Sequence, residues 1–404
     1  MTEPMNPLLD RLLPYPFERL RQLNAGCQPP EALPAIALSI GEPRHPSPRF
    51  VRDQLTAALD GLSLYPVTRG LDILRESISN WLTWRFQLQD CPPDPNRHIL
   101  PVNGSREALF SYVQAMLQPG SGAAVVMPNP FYQIYEGAAL LAGAEPIYLP
   151  CDAEHNFIPD YDAVPESLWQ RTALLFLCSP GNPSGSVTSL ETLQHLIELS
   201  DRYGFLLCSD ECYSEIYPRE DSPPPGLLQA AAAMGRHDYR RLMVFHSLSK
   251  RSNLPGLRSG FVAGDAHLIE RFLLYRTYHG SAMSVPTQLA SVTAWNDEVH
   301  VRENRQAYRH KFEAVLSRLQ PHIDVKAPDA SFYLWMKTPG SDTDFARGLW
   351  NQQHVQVLPG SYLSREMGGH HPGQGYVRIA LVPDEATCLI ATDRIITYLN
   401  SIRT

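Results

Sequence analysis

Three runs of consecutive apolar residues, Leu174 to Leu177, Phe205 to Cys208 and Leu242 to Phe245, constrain the fold of this chain more than any other feature. None alternates polar with apolar, so each reads as a strand covered on both faces. Strands of that kind occur where helices sandwich a mostly parallel sheet. The neighbouring sequence has the matching grammar. Ile99 to Val102 is a short strand leading into a helix from Arg106 to Leu117, and Ala123 to Met127 is another strand. Leu190 to Tyr203 spaces Leu190, Leu193, Leu196 and Ile197 along one helical face, and Gly204 ends it.

At 404 residues and 44% hydrophobic, the chain can bury more than one core. Its first 48 residues are proline-rich, with one helix from Phe17 to Leu23 and an extended stretch at Ala35 to Ile40. Helices follow from Phe50 to Leu59 and onward through Trp84. After about residue 290 a charged helix, Val299 to Leu319, precedes strands at Asp324 to Val325, Phe332 to Met336, Val355 to Leu358 and Tyr376 to Leu381. Helices near Phe345 and from Asp384 to Leu399 complete that region. The expectation is a large α/β domain over 49–289 and a smaller α+β domain formed by 1–48 with 290–404.

A net charge of −8 with no basic block argues against nucleic acid or an anionic membrane as partner. No apolar run approaches the roughly 20 residues of a spanning helix, and Met1-Thr2-Glu3-Pro4 lacks the pattern of a signal peptide. Seven scattered cysteines read as reduced thiols of a cytoplasmic protein, and no His/Cys cluster points to a metal.

In α/β sheets, ligands sit at the carboxyl ends of the strands. Here the Leu242 strand runs into Ser247-Leu248-Ser249-Lys250, with Arg258 beyond. A lysine just past a buried strand is placed to be desolvated, which lowers its pKa and frees its amine as a nucleophile. Flanking hydroxyls and a forked arginine suit a phosphate. The first strand ends in Asn103-Gly104-Ser105-Arg106, whose helix start offers free N–H groups, though a serine-capped glycine turn looks the same. Asn182 is the one side chain with useful donors in the Ser179–Gly185 loop. Asp210, at a buried strand end, needs a cation, a helix to cap or an internal ion pair. Tyr213 lies three residues on, and Tyr132 follows another strand as a stacking ring or a core aromatic. Arg378, inside an apolar strand, needs a carboxylate from an internal acid or a substrate. Lysine imine and phosphate grip together are what pyridoxal 5′-phosphate (PLP) requires, with Asp210 as partner of its ring nitrogen.

The ordered set Asn103-Gly104-Ser105, Asn182-Pro183, Asp210-x-x-Tyr213, Ser247-x-x-Lys250, Arg258 and Arg378 resembles the class I/II, fold-type I PLP-dependent aminotransferases over nearly the whole chain. The resemblance implies a mostly parallel seven-stranded sheet between helices plus the smaller α+β domain. It implies Lys250 as the imine-forming lysine and proton shuttle. Gly104, Ser105, Arg106, Ser247, Ser249 and Arg258 would bind phosphate, Tyr132 would stack on the ring, and Asn182 and Tyr213 would hold its phenolic oxygen. Arg378 would take the substrate α-carboxylate beneath the backbone of Gly41. A homodimer is implied, with Tyr65 donated to the partner subunit's phosphate site. Ser184 and Ser259 depart from the family pattern without removing a functional group. The stretches Met5 to Leu12 and Ser39 to Pro46 resemble bacterial N-succinyldiaminopimelate aminotransferases, whose succinylated substrate demands a distal cation. Arg106 is the candidate, with Arg44 and Arg69 behind it. The alternatives are an aminotransferase for aspartate, N-acetylornithine or aromatic amino acids, a carbon–sulfur β-lyase, and the aminotransferase-like module of a transcriptional regulator.

Overall fold

The computed structural model describes residues 6–402; the Met1 to Pro4 stretch and Met5 lie outside the described residues. Twelve strands are numbered in chain order: β1 Ile36–Ala37, β2 Ile99–Val102, β3 Ala124–Asn129, β4 Glu145–Pro150, β5 Thr172–Cys178 and β6 Leu206–Asp210. They continue with β7 Leu242–Ser247, β8 Gly260–Gly264, β9 Tyr333–Lys337, β10 Val355–Gln356, β11 Leu358–Pro359 and β12 Tyr376–Ala380. Seven of them form one sheet in the order β2-β8-β7-β6-β5-β3-β4. All run in one direction except β8, which pairs antiparallel with both β2 and β7.

The absence of alternation in the central strands follows from two cores, one on each face. Leu175, Leu177, Leu207 and Val244 point into one cluster, with Trp81, Leu193 and Leu196 of the covering helices. Leu174, Phe176, Cys208, Met243 and Phe245 point into the other, with Leu109, Tyr112 and Tyr135. Both periods of the pleat meet apolar helices, so both must be apolar. The helix Leu190–Tyr203 shows the local logic. The Ser189 hydroxyl accepts from the Thr192 N–H, and Gly204 closes the helix at a φ of 84°, where a side chain would be strained.

A third core joins Leu38 near the start of the chain to Val315, Leu334, Leu349, Ile379 and Ile395. It is roofed by the antiparallel sheet β11-β12-β9 and the two-stranded β1-β10 pair. Two expectations fail in this region. Asp324 and Val325 form no strand, because the stretch lies outside every sheet pairing. Val355 to Leu358 is not one strand: β10 pairs with β1, and β11 turns to pair with β12 in a different sheet. Among the described residues no helix is long and apolar enough to cross a membrane, and no group of His, Cys, Asp or Glu is arranged to hold a metal.

Candidate active site

Because β2, β5, β6 and β7 run the same way, their carboxyl ends open on one edge of the sheet. A cleft of about 560 Å³ sits there, lined from this edge by Ser105, Asn182, Asp210, Ser247 and Lys250, and from strands β9 and β12 by Tyr333 and Arg378. Gly41 and Glu42 border it, as do Tyr15 and Phe17 from the N-terminal segment.

Lys250 belongs to a single helical turn, Leu248–Arg251, capped by Ser247, whose hydroxyl accepts from the Ser249 N–H at 3.1 Å. That cap ends β7 and projects the lysine into the cleft. Its Nζ donates to the Gly41 carbonyl and lies 5.3 Å from the centre of the Phe332 ring. Burial pushes its pKa down to about 8.

Beside it is a cradle for an anion. Gly104, at a φ of 82°, precedes the helix Ser105–Met116, leaving the helix's first N–H groups facing the cleft. The Arg258 guanidinium lies so close that a Cβ at Gly104 would stand 2.3 Å from Nη2. Arg258 is held by the Pro255 carbonyl at 2.9 Å, and Ser247 and Ser249 share a hydroxyl bond of 2.9 Å. The nearby Ser259 hydroxyl bonds that of Ser291 at 2.7 Å, so its departure from an apolar residue is satisfied inside the core.

Asp210 is buried at the end of β6 and receives the Tyr135 hydroxyl at 2.8 Å and the Cys212 N–H at 3.3 Å. Burial raises its pKa, and among the described residues it forms no ion pair. It thus has neither the salt bridge nor the helix cap considered from sequence. Arg378 is 4% exposed and equally short of charge. Its Nη1 donates to Asn182 Oδ1 and its Nη2 to the Ser39 carbonyl, both at 2.8 Å, while the buried Nε has no partner. The Tyr213 hydroxyl meets that of Tyr333 at 3.0 Å, and Gly41 packs so tightly on Tyr333 that a Cβ would fall 1.9 Å from its hydroxyl. Arg106 Nε donates to the Tyr132 hydroxyl at 2.6 Å, near Tyr15 and Phe17.

The cleft therefore gathers all the site residues read from sequence except Gly104, which lies against Arg258, and Tyr65, which is fully exposed and lines none of it. Arg44 and Arg69 do not line it either; Arg69 donates to the Asn96 carbonyl. Sequence reasoning missed Tyr333, Tyr135, Cys212, Tyr15 and Phe17. Tyr333 sits inside an apolar stretch that reads as core, Tyr135 stands between Ile134 and Glu136, and only the tertiary fold brings their hydroxyls to Tyr213 and Asp210.

The residues fit PLP on their own chemistry. An anion cradle, an uncompensated buried carboxylate, a desolvated lysine and an arginine with an unmet donor correspond to phosphate, pyridinium nitrogen, aldehyde and substrate carboxylate. A family model described as aminotransferase class I and II matches residues 34–395, and the chain belongs to that family, whose members use pyridoxal phosphate. An LL-diaminopimelate aminotransferase of Nitratidesulfovibrio vulgaris is 30% identical over 397 residues, covering 96% of this chain and 98% of that one. The crystal structure of an aminotransferase from Neisseria meningitidis is 54% identical, with a TM-score of 0.93 over 97% of this chain and 99% of that one. A probable N-succinyldiaminopimelate aminotransferase from Thermus thermophilus is 25% identical, with a TM-score of 0.84 over 95% and 100% of the two chains.

Proposed function

We propose that this aminotransferase moves an amino group between N-succinyl-LL-2,6-diaminopimelate and 2-oxoglutarate or glutamate, in the diaminopimelate route to lysine. It would act as a cytoplasmic homodimer. The observation that carries the reading is a cleft lined by two arginines besides the one in the anion cradle. Arg378, with its unmet Nε, and Arg106 both line it together with Lys250, Tyr15, Phe17, Ile40 and Leu363. A substrate with a carboxylate at its reacting end and another beyond an acyl chain matches that layout. The sequence resemblance at Ser39 to Pro46 and the name of the Thermus thermophilus neighbour favour the succinylated form. The names of the curated relatives favour free LL-diaminopimelate, which is the second reading.

In the proposed roles, Ser105, Ser247, Ser249, Arg258 and the backbone at Gly104 hold the phosphate. Tyr132 stacks on the ring, Asn182 and Tyr213 hold its phenolic oxygen, and Asp210 keeps a proton on its nitrogen. Bound PLP supplies an electron sink for the bond broken at the substrate α-carbon. Lys250 would take the proton from the α-carbon and deliver it to the cofactor carbon, so that hydrolysis can release the oxo acid. With its pKa lowered to about 8 by burial, the free amine loses its proton far more readily near neutral pH than an ordinary lysine does. Arg378 grips the α-carboxylate and so orients that C–H bond, Gly41 closes over it, and Arg106 takes the distal carboxylate.

The test is glutamate formation from 2-oxoglutarate with N-succinyl-LL-diaminopimelate, with free LL-diaminopimelate, N-acetylornithine, aspartate and aromatic amino acids in parallel. The succinylated donor is expected to give the highest kcat/KM. Preference for free LL-diaminopimelate would replace the substrate with the second reading, and preference for any other donor would remove both.

A further inference from the structure

The 39–45 segment carries two carbonyls into the site: that of Ser39 accepts from Arg378 and that of Gly41 from Lys250. Its far end is tied down by a buried polar chain that the roles above do not use. Lys311, in the helix Val299–Leu319, is 1% exposed, and among the described residues it has no carboxylate partner. Its Nζ donates to the Leu381 carbonyl and to His45 Nε2, each at 2.9 Å, and lies 4.7 Å from the centre of the Tyr308 ring. His45 Nδ1 meets Asn304 Oδ1 at 2.8 Å, and that oxygen also accepts from Asn253 at 2.9 Å. An oxygen in that role is an acceptor, so Nδ1 carries the ring hydrogen and Nε2 is left to accept from the lysine. Asn304 in turn donates to the Lys250 carbonyl at 3.4 Å. The chain from Lys311 through His45 and Asn304 thus ends on the backbone of the lysine whose side chain the same segment touches.

We propose that His45 and Lys311 are positioning residues: their hydrogen bond clamps the 39–45 segment against the 299–319 helix and so holds the Ser39 and Gly41 carbonyls onto Arg378 and Lys250. This rests on the proposed roles of Arg378 and Lys250. The clamp has a pH window. Burial, then Lys311, lowers the His45 pKa, so the ring is neutral near pH 7; burial lowers that of Lys311 to about 8. Tyr308 faces His45 from the long helix, and Cys388, Asp384 and Glu385 face Lys311 from the last helix. Protonating His45 removes the acceptor and sets two cations side by side, so the clamp opens on the acid side.

The experiment uses the holoenzyme with glutamate as amino donor. His45→Ala and Lys311→Met are expected to raise KM for glutamate roughly tenfold, the size of one charged hydrogen bond. His45→Gln can accept at one end and donate at the other. It should keep the KM of the unaltered enzyme at pH 8 and lose the acid-side rise in KM. In nitrogen-15 NMR of the cofactor-free protein, His45 should show the Nδ1–H tautomer and titrate below 6.5, moving upward in Lys311→Met. The proposal is overturned if His45→Ala and Lys311→Met lower only the melting temperature, if His45→Gln keeps the full acid-side rise, or if His45 titrates at or above 6.5. An active Lys250→Ala variant would instead remove the reading beneath it, while the His45 titration stands independently.

Discussion

Asp210 holds a charge that the rest of the chain does little to offset. Burial raises its pKa, and two hydrogen bonds, from Tyr135 and the Cys212 N–H, are its compensation. A protonated ring nitrogen would complete it, so Asp210→Asn, which cannot keep that proton in place, is expected to lower kcat by roughly 10²-fold with little change in KM. Steady-state kinetics decide it, and an unchanged kcat would show that the carboxylate is structural. Lys250→Ala should lose at least 10²- to 10⁴-fold in kcat, the range for a positioned acid–base group. Arg378→Lys keeps the charge but gives up the fork, and KM for the amino acid should rise roughly 10- to 100-fold. Lys311 makes a separate stability prediction. Its folded pKa of about 8 lies below the unfolded value of about 10.4, so between those values the unfolded chain binds more protons and stability rises with pH. The denaturant midpoint of the unaltered protein should therefore gain on that of Lys311→Met between about pH 8 and pH 10.

At the scale of the element, Gly104 connects strand β2 to the helix that opens on the cleft. Alanine there would need a φ of 82° and would push its methyl into Arg258. Strain of about 1–3 kcal/mol sits at the phosphate cradle, so Gly104→Ala should raise the Kd for PLP roughly 5- to 150-fold. Circular dichroism should stay that of the unaltered protein, and unchanged PLP affinity would refute the cradle. This turn was legible in the sequence because the strand before it is short, apolar and buried on both faces. The same property made β5, β6 and β7 legible. β4 was missed because Glu145–Pro150 lies at the sheet edge, half-buried, with proline at two of its positions. β8 was missed because Gly260–Gly264 is short and bounded by glycine, which reads as loop. Helices Ala266–His279 and Val285–Trp295 escaped notice because their buried positions do not follow one clean stripe. At the site, Lys250, Asp210 and Arg378 were legible as polar residues stranded in or after apolar runs, a costly placement without a partner. Tyr333 was not, since a tyrosine in an apolar run costs little and announces nothing, and Tyr135 finds Asp210, 75 residues on, only through the fold.

At the scale of the whole molecule, the chain leaves one site residue stranded. Tyr65 is fully exposed, and Leu62, Leu64 and Val67 on either side of it are each at least 60% exposed. Four large apolar side chains within six positions are costly to leave in water, and an interface between copies would cover them. The Tyr65 hydroxyl would then reach the phosphate cradle of the partner subunit, coupling cofactor binding to association. Sedimentation equilibrium should accordingly give twice the chain mass. The pair of changes Leu62→Arg and Leu64→Arg should yield monomers with a weakened hold on PLP, although neither residue touches the cleft of its own chain. Tyr65→Phe separates the two effects: it keeps the ring that an interface would bury and deletes only the hydroxyl, so it should stay dimeric while its Kd for PLP rises roughly tenfold. A monomeric parent protein with full activity would show that the cleft is complete within one chain and that the exposed segment serves some other contact.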